Sequence, residues 1–104
     1  MGPIVEVKFA EPSVLILASL SGGAKHGYAL IKDIEAISGA TLGPGTLYGA
    51  LARLEQHGMV VALPVEDRRR PYRITPAGAE ALRVCLENVQ RLAVVGLRRL
   101  DAYA

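Results

Sequence analysis

The sequence predicts a mainly α fold with a small β-hairpin (α+β), on three observations. Apolar residues recur at helical spacing in four separate stretches, the last of them long. Between the third and fourth stretches the period shortens to two, at Val61, Leu63 and Val65 and again at Tyr72 and Ile74. Proline stands near the start of the first, third and fourth stretches, and serine or glycine follows the first three, as helix geometry favours. The chain has 104 residues, enough for one domain and too few for two ordinary ones. A core this small gains stability from oligomerisation.

At the start, Val5, Val7 and Phe9 alternate with Glu6 and Lys8. Residues 1–10 therefore read as a short extended arm with one apolar face, or as a loosely ordered terminus. Pro12, after the acidic Glu11, opens a helix that runs to about Leu20; Val14, Leu15, Leu17, Ala18 and Leu20 cover most of its circumference, so it should be central. Ser21-Gly22-Gly23 ends it. A second helix is expected over Tyr28–Ser38, with Leu30, Ile31, Ile34 and Ile37 as its buried stripe and Tyr28 packed in the core or at the cap. A third opens at Gly43-Pro44 and stops at Gly58, with Leu47, Ala50, Leu51 and Leu54 facing inward. Two helices joined by a short glycine-containing turn form a helix-turn-helix pattern.

The strands are expected over residues 61–65 and 72–74. Pro64 has no N–H for a ladder, which puts the first at a sheet edge or ends it early. Thr75 is an N-cap candidate with Pro76 at the first helical position. From there a helix runs toward Leu100, roughly 37 Å at about 1.5 Å per residue. Three helices followed by a hairpin with a basic tip is a winged-helix arrangement. The organisation read from the sequence is an arm (1–10), a winged helix-turn-helix domain (11–75) and a long C-terminal dimerisation helix (76–104).

The third helix has an unusual outer side. Gly45, Gly49, Ala52, Arg53 and Gln56 share it, with Thr46 and Tyr48 at its edges. An ordinary solvated face is filled with Lys and Glu. Small residues mixed with one guanidinium, one amide, one hydroxyl and one phenol suit a helix lying close to another surface. A duplex major groove is such a surface, because it admits a helix and is read by short polar side chains. The alternative is a surface helix that is simply rich in Gly and Ala. Arg53 and Gln56 have the chemistry to read guanine and adenine, or to contact phosphate. Thr46 sits where helix N-terminal N–H groups favour an anion. Arg68, Arg69 and Arg70, between the two strands, are suited to phosphates or a minor groove, or else to a solvated tip that discourages aggregation.

On the last helix Leu82, Leu86, Val89, Ala93, Gly96 and Leu100 follow one another at spacings of three and four, and Cys85, Leu92 and Leu97 widen the seam. Three short helices offer it only one side, so a second copy in a two-fold dimer is the expected partner.

Net charge is only +2, so binding to nucleic acid would depend on a local basic patch. The single cysteine excludes an internal disulfide and fits a reducing compartment. The start lacks the form of a signal peptide, and the most apolar run, Val14–Leu20, is far shorter than the ~20 residues of a membrane span. A soluble cytoplasmic protein without membrane contact is expected. No nucleophile, base and orienting group assemble into a catalytic set. His26 and His57 lack ligands at metal spacing. No enzyme, metal or cofactor is expected, and a small-molecule effector is not specified. The rival readings are a winged helix used only for protein contact, and a ligand or redox sensor.

Three groups of residues carry a resemblance. They are His26-Gly27-Tyr28 with Leu30-Ile31; Pro44-Gly45-Thr46-Leu47-Tyr48 with Leu51, Arg53-Leu54-Glu55 and Gly58; and Tyr72-Arg73-Ile74-Thr75 with Gly78. Together they resemble the PadR family of bacterial transcriptional regulators over most of the chain. The resemblance implies a winged-helix dimer that binds a promoter palindrome, usually as a repressor. Its short-tailed subfamily dimerises largely through one long C-terminal helix. The sequence departs from the family pattern at Gly43, where a serine is usual, and at Pro71, where a basic residue is frequent. It has no tryptophan for the flat aromatic-ligand pocket of some relatives.

Overall fold

The structure, a computed structural model, describes residues 11–103. The arm expected over residues 1–10 lies outside the described residues. Four helices and three short strands follow in the order α1 (Pro12–Leu20), β1 (Lys25–His26), α2 (Gly27–Ser38), α3 (Pro44–Gln56), β2 (Val60–Ala62), β3 (Pro71–Ile74) and α4 (Pro76–Asp101). Proline stands at the start of α1, α3 and α4, where its missing N–H breaks no intrahelical bond. Gly43 precedes α3 with no side-chain cap, whereas Thr75 Oγ1 caps α4 by accepting the Gly78 N–H at 3.0 Å.

The core is a contact between α1, α2 and α3. Ile16, Leu20, Leu30, Ile34, Leu47 and Leu51 are all fully buried, joined by Leu15, Leu17, Ala50, Leu54 and Val60. Each buried Leu or Ile contributes about 1.5–3 kcal/mol, so these side chains dominate the stability of the fold. Ser19 is the one buried polar residue among the described residues. Its hydroxyl donates to Asp33 at 2.5 Å, and Lys25 Nζ donates to the Ser19 carbonyl at 2.5 Å while lying 3.8 Å from the same carboxylate. This small polar cluster ties the end of α1 to β1 and α2.

The sheet differs from the expected hairpin. It has three antiparallel strands in the order β1-β3-β2. Lys25 pairs with Tyr72 and His26 with Pro71 on one side of β3, and Val60, Val61 and Ala62 pair with Ile74, Arg73 and Tyr72 on the other. The first hairpin strand ends at Ala62, shorter than the 61–65 expected. One further bond, Leu63 N–H to the Pro71 carbonyl at 2.8 Å, closes the ladder before Pro64 interrupts it. Val65 is left exposed.

Two side chains on α2 also depart from expectation. Gly27 takes the inward position at the first turn, so Tyr28, about 100° further round, turns outward and is 63% exposed. Ile37, on the last turn, is exposed rather than part of the buried stripe.

The stripe on α4 changes cover along its length. Gly78 is buried, and Leu82 is 6% exposed and packs in the chain's own core. Leu82, expected in the dimer seam, thus packs in the chain's own core, where the first turns of α4 lie on α1. Further along the same side, Leu86 and Val89 are exposed. Leu92, Leu97 and Leu100 are 65%, 62% and 67% exposed, and Cys85 is half-buried. No helix of the described residues is long and apolar enough to cross a membrane.

Candidate nucleic-acid interface

The side of α3 opposite its buried Leu47, Ala50, Leu51 and Leu54 is open. Gly45, Thr46, Ala52, Arg53 and Gln56 are exposed, Gly49 is half-buried, and Tyr48 is 51% exposed. Arg53 lies back along the helix over Gly49, where the missing side chain leaves room. At the C-terminal end, His57 Nδ1–H donates to the Arg53 carbonyl at 2.7 Å and satisfies one of the last helical acceptors.

Tyr48 is positioned by α2. A Cβ at Gly27 would run into the Tyr48 hydroxyl and ring. The glycine between His26 and Tyr28 therefore gives the phenol its seat, and the His-Gly-Tyr and Pro-Gly-Thr-Leu-Tyr groups of the sequence meet at this contact. Tyr72, on β3, stands behind. Its phenol is held above its ordinary value chiefly by burial, then by Glu55 and by Tyr48, with Arg70 acting the other way.

The wing is a tight turn. Glu66 and Arg69 exchange both backbone hydrogen bonds, at 2.7 and 2.9 Å, around Asp67 and Arg68. Both central residues have positive φ, +50° and +64°. This is the two-residue hairpin geometry that normally selects Asn-Gly or Asp-Gly. Arginine at the second position holds a left-handed conformation at a cost of about 1 kcal/mol or more.

The three arginines do different things. Arg70 Nη1 donates to the Leu63 carbonyl at 2.8 Å and braces the hairpin. The Arg69 guanidinium lies 3.1 Å from His26 Nε2. His26 Nδ1 in turn faces the Ala29 N–H at 3.4 Å, as the N-cap of α2. A neutral imidazole has one acceptor nitrogen, so the ring serves one of these two donors at a time. Arg68, at the tip, is exposed.

Tyr28 and Tyr48 on one side, and Arg68, Arg69 and Arg70 on the other, enclose an open cleft of about 200 Å³ floored by His26 and Gly27. Lys32 Nζ lies 5.8 Å from the centre of the Tyr28 ring, on the outer edge of the same surface. The structure thus brings Tyr48 and the arginines together. Gln56 and Arg53 lie further along α3, and Thr46 lies at its first turn. Sequence reasoning missed Tyr28 and His26 as members of this surface. The signal available was their adjacency to Gly27 in the His-Gly-Tyr group.

The model of the PadR-like family of transcriptional regulators matches residues 16–84. The chain belongs to this family. It is 39% identical over 97 residues to a transcriptional regulator of Mycobacterium tuberculosis, covering 88% of this chain and 90% of that protein. It is 46% identical over 83 residues to a 37.1 kDa protein of a Streptomyces fradiae transposon, covering 80% of this chain but only 24% of that protein. Among solved structures, a transcriptional regulator from Clostridium thermocellum superposes with a TM-score of 0.69 at 32% identity, over 81% of this chain and 88% of that one. A PadR family regulator from Clostridium difficile gives a TM-score of 0.77 at 23% identity, over 86% and 97%, and shares the fold. The PadR-like match includes α3, the wing and the first turns of α4.

Proposed function

We propose that this chain is a DNA-binding transcriptional regulator that works as a homodimer on a two-fold-symmetric promoter site. Membership of the PadR-like regulators supports the general role. The observation that carries the reading is the uncovered, small-residue side of α3 standing beside a three-arginine wing.

In this reading α3 enters the major groove. Gly45, Gly49 and Ala52 let its backbone approach, Arg53 and Gln56 meet base edges, and Thr46 and Tyr48 meet phosphates. Arg68 and Arg69 follow the adjacent backbone or minor groove, and Arg70 keeps the wing in shape. Two copies join along α4 through Cys85, Leu86, Val89, Leu92, Ala93, Gly96, Leu97 and Leu100, where apolar surface is left open by a single chain. The paired α3 helices then address successive major grooves about 34 Å apart. Repression is the proposed output, by occupancy of the promoter site.

The test is a titration of a fluorescent duplex from the gene's own upstream region. Wild type and an Arg68/Arg69/Arg70→Ala variant are compared at two salt concentrations. The expected result is specific binding by wild type, and in the variant a salt slope flattened by ~0.9 for each phosphate that is no longer neutralised. Identical binding by both proteins, or no specific complex, refutes this reading and favours a protein-contact module.

A further inference from the structure

We propose that Thr75 fixes the angle between α3 and α4 and so sets which separation of two DNA half-sites the dimer accepts. The inference rests on the paired-α3 reading of the function. Thr75 makes three bonds between the turn that follows α3 and the start of α4. Its hydroxyl donates to the Gly58 carbonyl at 2.7 Å and accepts the Gly78 N–H at 3.0 Å, and its own N–H donates to the Met59 carbonyl at 3.0 Å.

Gly58 and Met59 lie in the turn between α3 and β2. Gly58 and Met59 are bonded back into the last turn of α3, through Gly58 N–H to the Glu55 carbonyl at 3.0 Å and Met59 N–H to the Leu54 carbonyl at 2.9 Å. Gly78 is the third residue of α4, and a Cβ there would strike the Met59 carbonyl oxygen, so the backbone of α4 lies directly on this segment.

The joint acts through the length of the reader helix. With the two α4 helices held together, the middle of α3, near Ala50, is roughly 12 Å from Gly58 at about 1.5 Å per residue. A tilt of about 10° at the joint moves it by about 2 Å. Two-fold symmetry doubles the effect on the distance between readers, to about 4 Å. That is more than one base-pair step of about 3.4 Å. Thr75 is a positioning residue in this account: it need not touch DNA.

The experiment uses the full chain and a series of duplexes carrying two copies of the half-site footprinted by wild type, with the separation varied one base pair at a time. Thr75→Ser keeps both hydroxyl bonds. Thr75→Asp keeps the cap, since aspartate is a favoured N-cap, but an ionised carboxylate has no proton for the Gly58 carbonyl. Wild type and T75S are expected to prefer one separation at least tenfold over separations two base pairs away. T75D is expected to fall below threefold preference, with its affinity for a single half-site changed less than twofold. If T75D loses its fold by circular dichroism, T75G takes its place under the same criterion, since glycine is tolerated at an N-cap and has no side chain to donate. A clamp-breaking variant that keeps the tenfold preference overturns this inference and leaves the DNA reading standing. Wild type without any preferred separation overturns both.

Discussion

Replacing Arg68 with glycine separates two properties that usually change together. Arg68 holds φ +64° at the second central position of the wing turn, next to Asp67 at +50°. Relief of that conformation is worth about 1–2 kcal/mol. Glycine adds freedom to the unfolded chain, which takes back about 0.4–1 kcal/mol. The turn's two backbone bonds between Glu66 and Arg69 need no side chain at position 68 and persist. R68G is therefore expected to be stabilised by about 0–1.6 kcal/mol, a rise in Tm of roughly 6–13 °C at most for a domain of this size. If Arg68 neutralises one phosphate, the same change removes one released counterion. The salt slope then falls by ~0.9, and affinity near 0.15 M salt falls about fivefold. The assay pairs thermal melts by circular dichroism with duplex titrations at several salt concentrations, and R68A serves as the control that removes the charge but keeps the strain. Weaker binding and a flattened slope in both variants, with a higher Tm only in R68G, is the expected pattern. Wild-type affinity and slope in R68G would show that the tip does not meet the backbone. A drop in Tm of several degrees would show that the arginine is held there for stability.

Other changes test the rest of the surface and the core. Gly27→Ala forces the Tyr48 ring from its seat; melts should show a destabilisation of about 1–3 kcal/mol, and duplex titration a several-fold weaker complex. Leu82→Ala opens the chain's own core and should cost about 2–5 kcal/mol in chemical denaturation. Leu97→Glu, on the open part of the same helix, should instead turn a dimer into a folded monomer in sedimentation velocity. The Tyr72 phenol, raised by burial, Glu55 and Tyr48, holds its proton more tightly when folded. Its contribution is complete below its ordinary value of 10.0 and is lost as pH climbs through the raised one. Alkaline denaturation of Tyr72→Phe should accordingly lack part of the wild-type fall above pH ~10.

Much of the architecture was legible because each helix announces itself locally. Pro12, Pro44 and Pro76 stand at helix starts, Thr75 caps as its side chain suggests, and the inward residues of α3 are those its spacing selects. The open side of α3 was legible for the same reason, since periodicity that assigns the core also assigns what is left over. What escaped was set by contacts between distant parts of the chain. β1 has two residues, too few for any period, and exists because β3 has a free edge for it. Tyr28 faces outward because Gly27 beside it is pressed against Tyr48, twenty-one positions later. His26 meets Arg69 across 43 positions, and neither residue type points to the other. Leu82 and Leu100 look alike as members of one stripe; only the packing of the folded body distinguishes the buried one from the exposed one.

The seating of Tyr48 on Gly27 has a consequence for how such proteins diversify. A side chain at position 27 can be added only if the phenol at position 48 moves or is replaced. Arg53 and Gln56 carry no such obligation to the interior. Under the proposed function, new addresses on a genome can be written at those two sites while the scaffold that presents them is inherited unchanged.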